Sequence, residues 1–247
     1  MKIRRILAVA AALGVAAIPA AASASTAPTV YTKNYAGYYA TGNFGNKVDF
    51  FSHATLPTLA SLAKYTSGVT VEIRLYSTQG QLDLQLVAST RTSTAYTTKW
   101  VQSGFGSAVQ AGVTYCNQHP LTVAQGATHS DEVFTQEPGY NNGDTVVDFY
   151  IDGFMVNGCE VDFRSVVHFT KVAFVASFTR TGFIKPPSPV SMVAFSGVST
   201  IGISQFPLSH YTVGKFIATS TGTSTGAVWA KPSALNSTGD GFTVTLP

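Results

Sequence analysis

The sequence predicts an all-β fold: an antiparallel β-sandwich or jelly roll, a single domain behind a signal peptide. Three observations predict it. Apolar and polar residues alternate with period two, as in Val69, Val71, Ile73 and Leu75 against Thr70, Glu72, Arg74 and Tyr76, the pattern of a strand with one buried and one wet face. Turn signals recur at Gly42 to Gly45, Pro138 to Gly143, Pro186 to Pro189 and Gly222 to Gly226. Hydrophobic residues make up 45% of the 247 and charged residues only 11%, a balance that excludes an intrinsically disordered chain.

Taken in chain order, the first element is an export signal. Lys2, Arg4 and Arg5 precede an apolar run from Ile6 to Ile18, Pro19 ends it, and Ala22-Ser23-Ala24 has the small-x-small form of a cleavage site. The run is shorter than the roughly 20 residues a membrane span needs, which makes an uncleaved anchor the weaker reading. The expected organisation is a signal peptide at 1–24, a short tail at 25–33 and the sandwich at 34–247. The formal charge of +3 resides in those three basic residues, so cleavage leaves twelve basic and twelve acidic residues. The remaining Lys and Arg are scattered singly, which excludes the clustered basic surface that nucleic acid requires. No later segment approaches transmembrane length. The expectation is a secreted, extracellular protein of bacterial type, and the Asn236-Ser237-Thr238 acceptor pattern therefore carries no weight.

Leu56, Leu59 and Leu62, spaced by three, give the one helical hint, a single short turn. Leu82, Leu84 and Leu86 alternate with Asp83 and Gln85, and Phe242, Val244 and Leu246 with Thr243 and Thr245. Val172 to Phe178 is continuously small or apolar, as in a strand covered on both faces. Asp152-Gly153 between Val146–Ile151 and Phe154–Val156 is a two-residue hairpin signal, and Asn157-Gly158 follows it. The cysteines Cys116 and Cys159 form an even pair that an oxidising compartment favours as a disulfide; two separate buried thiols are the alternative.

Several groups invite chemistry. Gly222-Thr223-Ser224-Thr225-Gly226 fits G-x-S-x-G, but its flanks are strands and no helix follows, so it reads as a turn. The five histidines have no paired spacing, and neither a metal site nor a cofactor is implied. His129, Asp131, Glu132, Gln136 and Glu137 form a polar cluster: a solvated loop, or a source of carboxylate and amide for a hydrolase. Tyr31, Tyr35, Tyr38 and Tyr39 offer rings for sugar or peptide, with Tyr35 and Tyr38 the candidate ligand-binding pair.

Asn34-Tyr35-Ala36-Gly37-Tyr38 resembles the Asn-Trp-Ala-Gly-Tyr start of the secreted glutamic peptidases, the eqolisin family. Val48 to Pro57, Pro138-Gly139-Tyr140 with Gly143-Asp144-Thr145-Val146, Lys171 to Phe178 and Val193 to Val198 are similar to later segments of that family, in the same order over most of residues 34–205. The resemblance implies a concanavalin-A-like double-sheet sandwich. It also implies a Gln and a Glu on one concave sheet, the Glu activating water as general base and the Gln amide stabilising the oxyanion. Gln79, Gln81 and Gln85 fall in the stretch that corresponds to the family's Gln, and alternation puts Gln85 on the face opposite the leucines. The family's Glu has no counterpart: Thr181 stands near its place, and no glutamate follows Glu160. The resulting expectation is a non-catalytic sandwich that binds extracellular peptide, glycan or cell-wall polysaccharide. The alternative is an acid-active endopeptidase that pairs Gln85 with Glu132 or Glu137.

Overall fold

A computed structural model describes residues 35–44, 48–105, 112–114, 122–136, 145–163, 165–179, 188–201, 209–213, 216–217, 226–227 and 230–246. The expected export segment, Tyr31, the G-x-S-x-G turn, Cys116, Glu137 and Thr181 lie outside these residues.

Strands dominate the described residues, and nearly all of them belong to two antiparallel sheets. The first sheet takes β1 (Tyr35–Thr41), β3 (Gly68–Ser77), β4 (Gln81–Ser89), β5 (Tyr96–Ser103), β7 (Thr122–Val123), β11 (Phe169–Thr179) and β13 (Ser209–Val213). Its seven strands run in the order β13-β1-β11-β3-β4-β5-β7. The second takes β2 (Val48–Thr55), β6 (Gly112–Thr114), β8 (Thr128–Gln136), β9 (Val146–Ile151), β10 (Phe154–Asp162), β12 (Val190–Ile201), β16 (Lys231–Pro232) and β17 (Phe242–Leu246). Its eight strands run in the order β16-β17-β12-β2-β8-β9-β10-β6. A small pair, β14 (Phe216–Ile217) and β15 (Gly226–Ala227), stands apart. The order is non-sequential in both sheets, because the chain crosses between layers. This is the expected all-β sandwich.

The alternating residues face each other across the sandwich. Val69, Val71, Ile73 and Leu75 of β3 and Leu82, Leu84 and Leu86 of β4 are buried, as are Phe50, Val133, Phe149, Phe195 and Val244 of the other sheet. Each such side chain contributes roughly 1.5–3 kcal/mol by leaving water. β11 is covered on both sides. Val172, Phe174, Ala176 and Phe178 enter the core, while Ala173 and Val175 on its other face lie under Tyr39 and Tyr76.

Local signals in the sequence match local structure. Asp152 and Gly153 both adopt positive φ, 51° and 76°, the conformation of a type I′ hairpin turn, and Ile151 pairs with Phe154. Asn157-Gly158 makes no second turn. It lies within β10, where the ladder to β9 shifts register between Met155 and Glu160. The leucine triplet forms the one-turn helix α1 (Leu59–Leu62), whose Leu59 N–H donates to Gln125 Oε1 at 2.7 Å. Gly37 marks a close approach of β1 to β11, since a Cβ there would sit 2.0 Å from the Phe174 carbonyl oxygen.

Candidate functional site

On β3 the residues between the core positions point away from the second sheet, and two of them are charged. Glu72 and Arg74 are nonetheless only 3% and 6% exposed. Antiparallel register sets Gln85 of β4 directly opposite Glu72, and Asp83 opposite Arg74. From β11, on the other flank, Ser177 projects from the same face, paired with Thr70.

These side chains form one connected network. Arg74 Nε donates to Glu72 Oε2 at 2.6 Å. Gln85 Nε2 donates to the same oxygen at 3.3 Å, and Ser177 Oγ donates to Glu72 Oε1 at 3.3 Å. Gln81 Nε2 donates to both oxygens of Asp83 at 2.8 Å. Burial by itself would lower the Arg74 pKa, but the hydrogen bond and charge of Glu72 outweigh it and raise the value. Burial, followed by the negative charge of Glu72, pushes the Asp83 carboxyl up to about 6, against the opposing pull of Arg74, Gln81 and Gln85.

Aromatic rings line this face beside the network. The Arg74 guanidinium lies 4.0 Å from the Tyr35 ring centroid. Lys171 Nζ lies 4.8 Å from the Tyr39 ring and 4.5 Å from the Tyr76 ring. Tyr38 points the other way. It is 7% exposed, packs on Phe242 with ring centroids 4.7 Å apart, and donates its hydroxyl to the Ser233 carbonyl at 2.8 Å. Of the tyrosines expected to bind ligand, Tyr35 is on the outer face and Tyr38 belongs to the core, because adjacent residues of a strand face opposite ways.

Gln85 and Glu132 are not brought together. Gln85 is on the outer face of the seven-stranded sheet, whereas Glu132 alternates with buried Asp131 and Val133 on β8 and faces outward from the eight-stranded one. Two packed sheets separate them. Glu132 instead neighbours Asp49, whose pKa is pushed up to about 7 by burial and then by the charge and hydrogen bond of Glu132. The cluster around Glu132 is a strand rather than a solvated loop. In it His129 Nδ1 pairs with Asp152 Oδ2 at 2.6 Å and its Nε2 meets the Ala124 carbonyl at 2.9 Å. Among the described residues no group of three His, Cys, Asp or Glu side chains is placed to hold a metal ion.

Sequence reasoning reached Gln85 and missed Glu72, Arg74, Asp83 and Ser177. The signal was the polar half of the alternation on β3 and β4, two strands joined by the short turn at Ser77–Gly80. Residues 72 and 85 become neighbours once that turn sets the register.

No family model matches the chain, and no curated protein matches it. Among solved structures it is similar to the crystal structure of scytalido-glutamic peptidase with a transition state analog inhibitor. That likeness has a TM-score of 0.52 and 10% sequence identity, and covers 87% of this chain and 98% of the other. No helix among the described residues is long and apolar enough to cross a membrane. In architecture, the chain is a double-sheet β-sandwich with a glutamic-peptidase-like fold.

Proposed function

We propose that this is a secreted protein that uses a glutamic-peptidase-like scaffold for binding rather than hydrolysis. Its ligand is extracellular peptide or polysaccharide, held on the outer face of the seven-stranded sheet. One observation carries this reading: Glu72, the carboxylate beside Gln85, accepts hydrogen bonds from Arg74, Gln85 and Ser177 through both of its oxygens. A general base must present a lone pair to the water it activates. Here an attacking water would have to displace a guanidinium held at 2.6 Å. The half-buried Tyr35, Tyr39 and Tyr76 on the same face are the rings that such ligands use for apolar contact.

A second reading is supported by the same pair. Gln85 and Glu72 lie 3.3 Å apart on one sheet face, and a Gln with a Glu is what acid-active hydrolysis of the glutamic type would require. Digestion of denatured casein across pH 2–7 separates the two. The binding reading expects intact casein throughout, and acid-dependent cleavage would replace it with the second reading.

A further inference from the structure

The hydrogen bonds of the proposed binding face leave part of Arg74 unexplained. Among the described residues its guanidinium makes one hydrogen bond, from Nε to Glu72. The two terminal Nη groups donate to no described residue, although the side chain is more than nine-tenths buried. A second cation stands close by. Ala173 of β11 pairs directly with Arg74, so Lys171, two residues along on the same face, is its diagonal neighbour at about 7–8 Å between backbones. Burial and then the charge of Arg74 lower the Lys171 pKa. Both cations rest on tyrosine rings, which hold them partly desolvated. The two acids beside Arg74 are already engaged: Glu72 accepts from three donors, and Asp83, directly opposite Arg74 on β4, accepts from Gln81 through both oxygens.

We propose that Arg74 and Lys171 form a carboxylate-binding pair for an extended acidic peptide whose Asp or Glu side chains recur at alternate positions. This rests on the reading that the face binds extracellular ligand. Alternate side chains of an extended chain point the same way and recur about every 6.6 Å, twice the rise per residue, close to the diagonal spacing of the two cations. An arginine fork takes a carboxylate through two parallel hydrogen bonds, and a lysine supplies a point charge.

The test is fluorescence anisotropy with the purified secreted protein and a labelled peptide of alternating Glu and Thr. A Gln-Thr peptide serves as the neutral control and oligogalacturonate as a competitor. The acidic peptide is expected to bind at least about tenfold more tightly than the neutral one. Lys171→Gln should weaken it by about tenfold while leaving the urea unfolding midpoint unchanged; this variant decides the matter, because Arg74→Gln strands Glu72 and endangers the fold. Equal affinity for the two peptides, or an unaffected Lys171→Gln variant, overturns the pair. Binding of oligogalacturonate or the neutral peptide without the acidic one also overturns it but spares the binding reading. An acidic peptide that is bound and then cleaved, as read by mass spectrometry, overturns the non-hydrolytic reading and spares the pair.

Discussion

Gln85 and Glu72 face each other across the β3–β4 ladder, with the amide nitrogen 3.3 Å from a carboxylate oxygen that Arg74 also holds. The glutamine has a glutamate beside it, on a neighbouring strand and under the grip of an arginine. That arrangement ties the chemistry of the face to its stability.

Removing either charge should be costly. Glu72→Gln leaves the Arg74 guanidinium buried without its counter-charge, and the expected loss is about 3–5 kcal/mol of unfolding free energy. The double substitution Glu72→Leu with Arg74→Met replaces both charges by apolar groups and should recover most of that loss. Urea unfolding of Glu72→Leu, Arg74→Met and the double variant measures the coupling.

The fold should be more stable in acid than at neutral pH. Burial raises the Asp131 carboxyl well above its ordinary value, and the Asp152 charge adds to this. Asp131 is 3% exposed on the core side of β8, opposite fully buried Ser52, and among the described residues neither Asp131 Oδ1 nor Ser52 Oγ has a hydrogen-bond partner. Asp83 and Asp49 are raised to about 6 and about 7. A carboxyl whose folded pKa exceeds its unfolded value of roughly 3.9 stabilises the fold below that unfolded value. The stability is lost as pH rises toward the folded pKa. Asp152, whose pKa is lowered chiefly through its His129 hydrogen bond against the cost of burial, works in the opposite sense below about pH 4. The urea midpoint should therefore fall steadily from pH 5 to pH 8, and Asp131→Asn should flatten that slope. A midpoint that climbs over this range contradicts the assignment.

Gly37→Ala should destabilise the sandwich without touching any charged group. Its new Cβ would sit 2.0 Å from the Phe174 carbonyl oxygen, a backbone atom that cannot rotate away. Separating β1 from β11 at that point should cost about 1–3 kcal/mol or more, measured as a lowered thermal midpoint.

The cysteines make a covalent prediction. β6 ends at Thr114, two residues before Cys116, and Thr114 pairs with Glu160, the neighbour of Cys159. The protein, purified without reductant, should therefore resist alkylation until it is reduced, then take two labels. Reduction should cost up to roughly 4 kcal/mol, the chain-entropy value for a loop of this size. Two labels without reduction would show separate thiols.

Much of the fold was legible because strand periodicity and turn chemistry are local. The leucines of β4, the Asp152-Gly153 hairpin and the doubly covered β11 all follow from spacing alone. The site was less legible because it depends on which strands become neighbours. Glu72 stood in view as a wet-face residue of β3, but the family resemblance directed attention to a late strand, where Thr181 replaces the expected acid. The polar cluster at Glu132 misled for a related reason: sequence shows that a residue faces outward and cannot show from which sheet. Tyr38 is close to Tyr35 in sequence, but their positions in β1 put them on opposite faces.

The central claim is that Glu72 is held by Arg74, Gln85 and Ser177 and does not serve as a general base. Casein digestion by the purified protein between pH 2 and pH 7, run beside its Glu72→Gln variant, tests this most directly. The account predicts no cleavage by either protein at any pH in the range. Cleavage near pH 2–4 by the parent protein, lost in Glu72→Gln with the fold intact by circular dichroism, would contradict it.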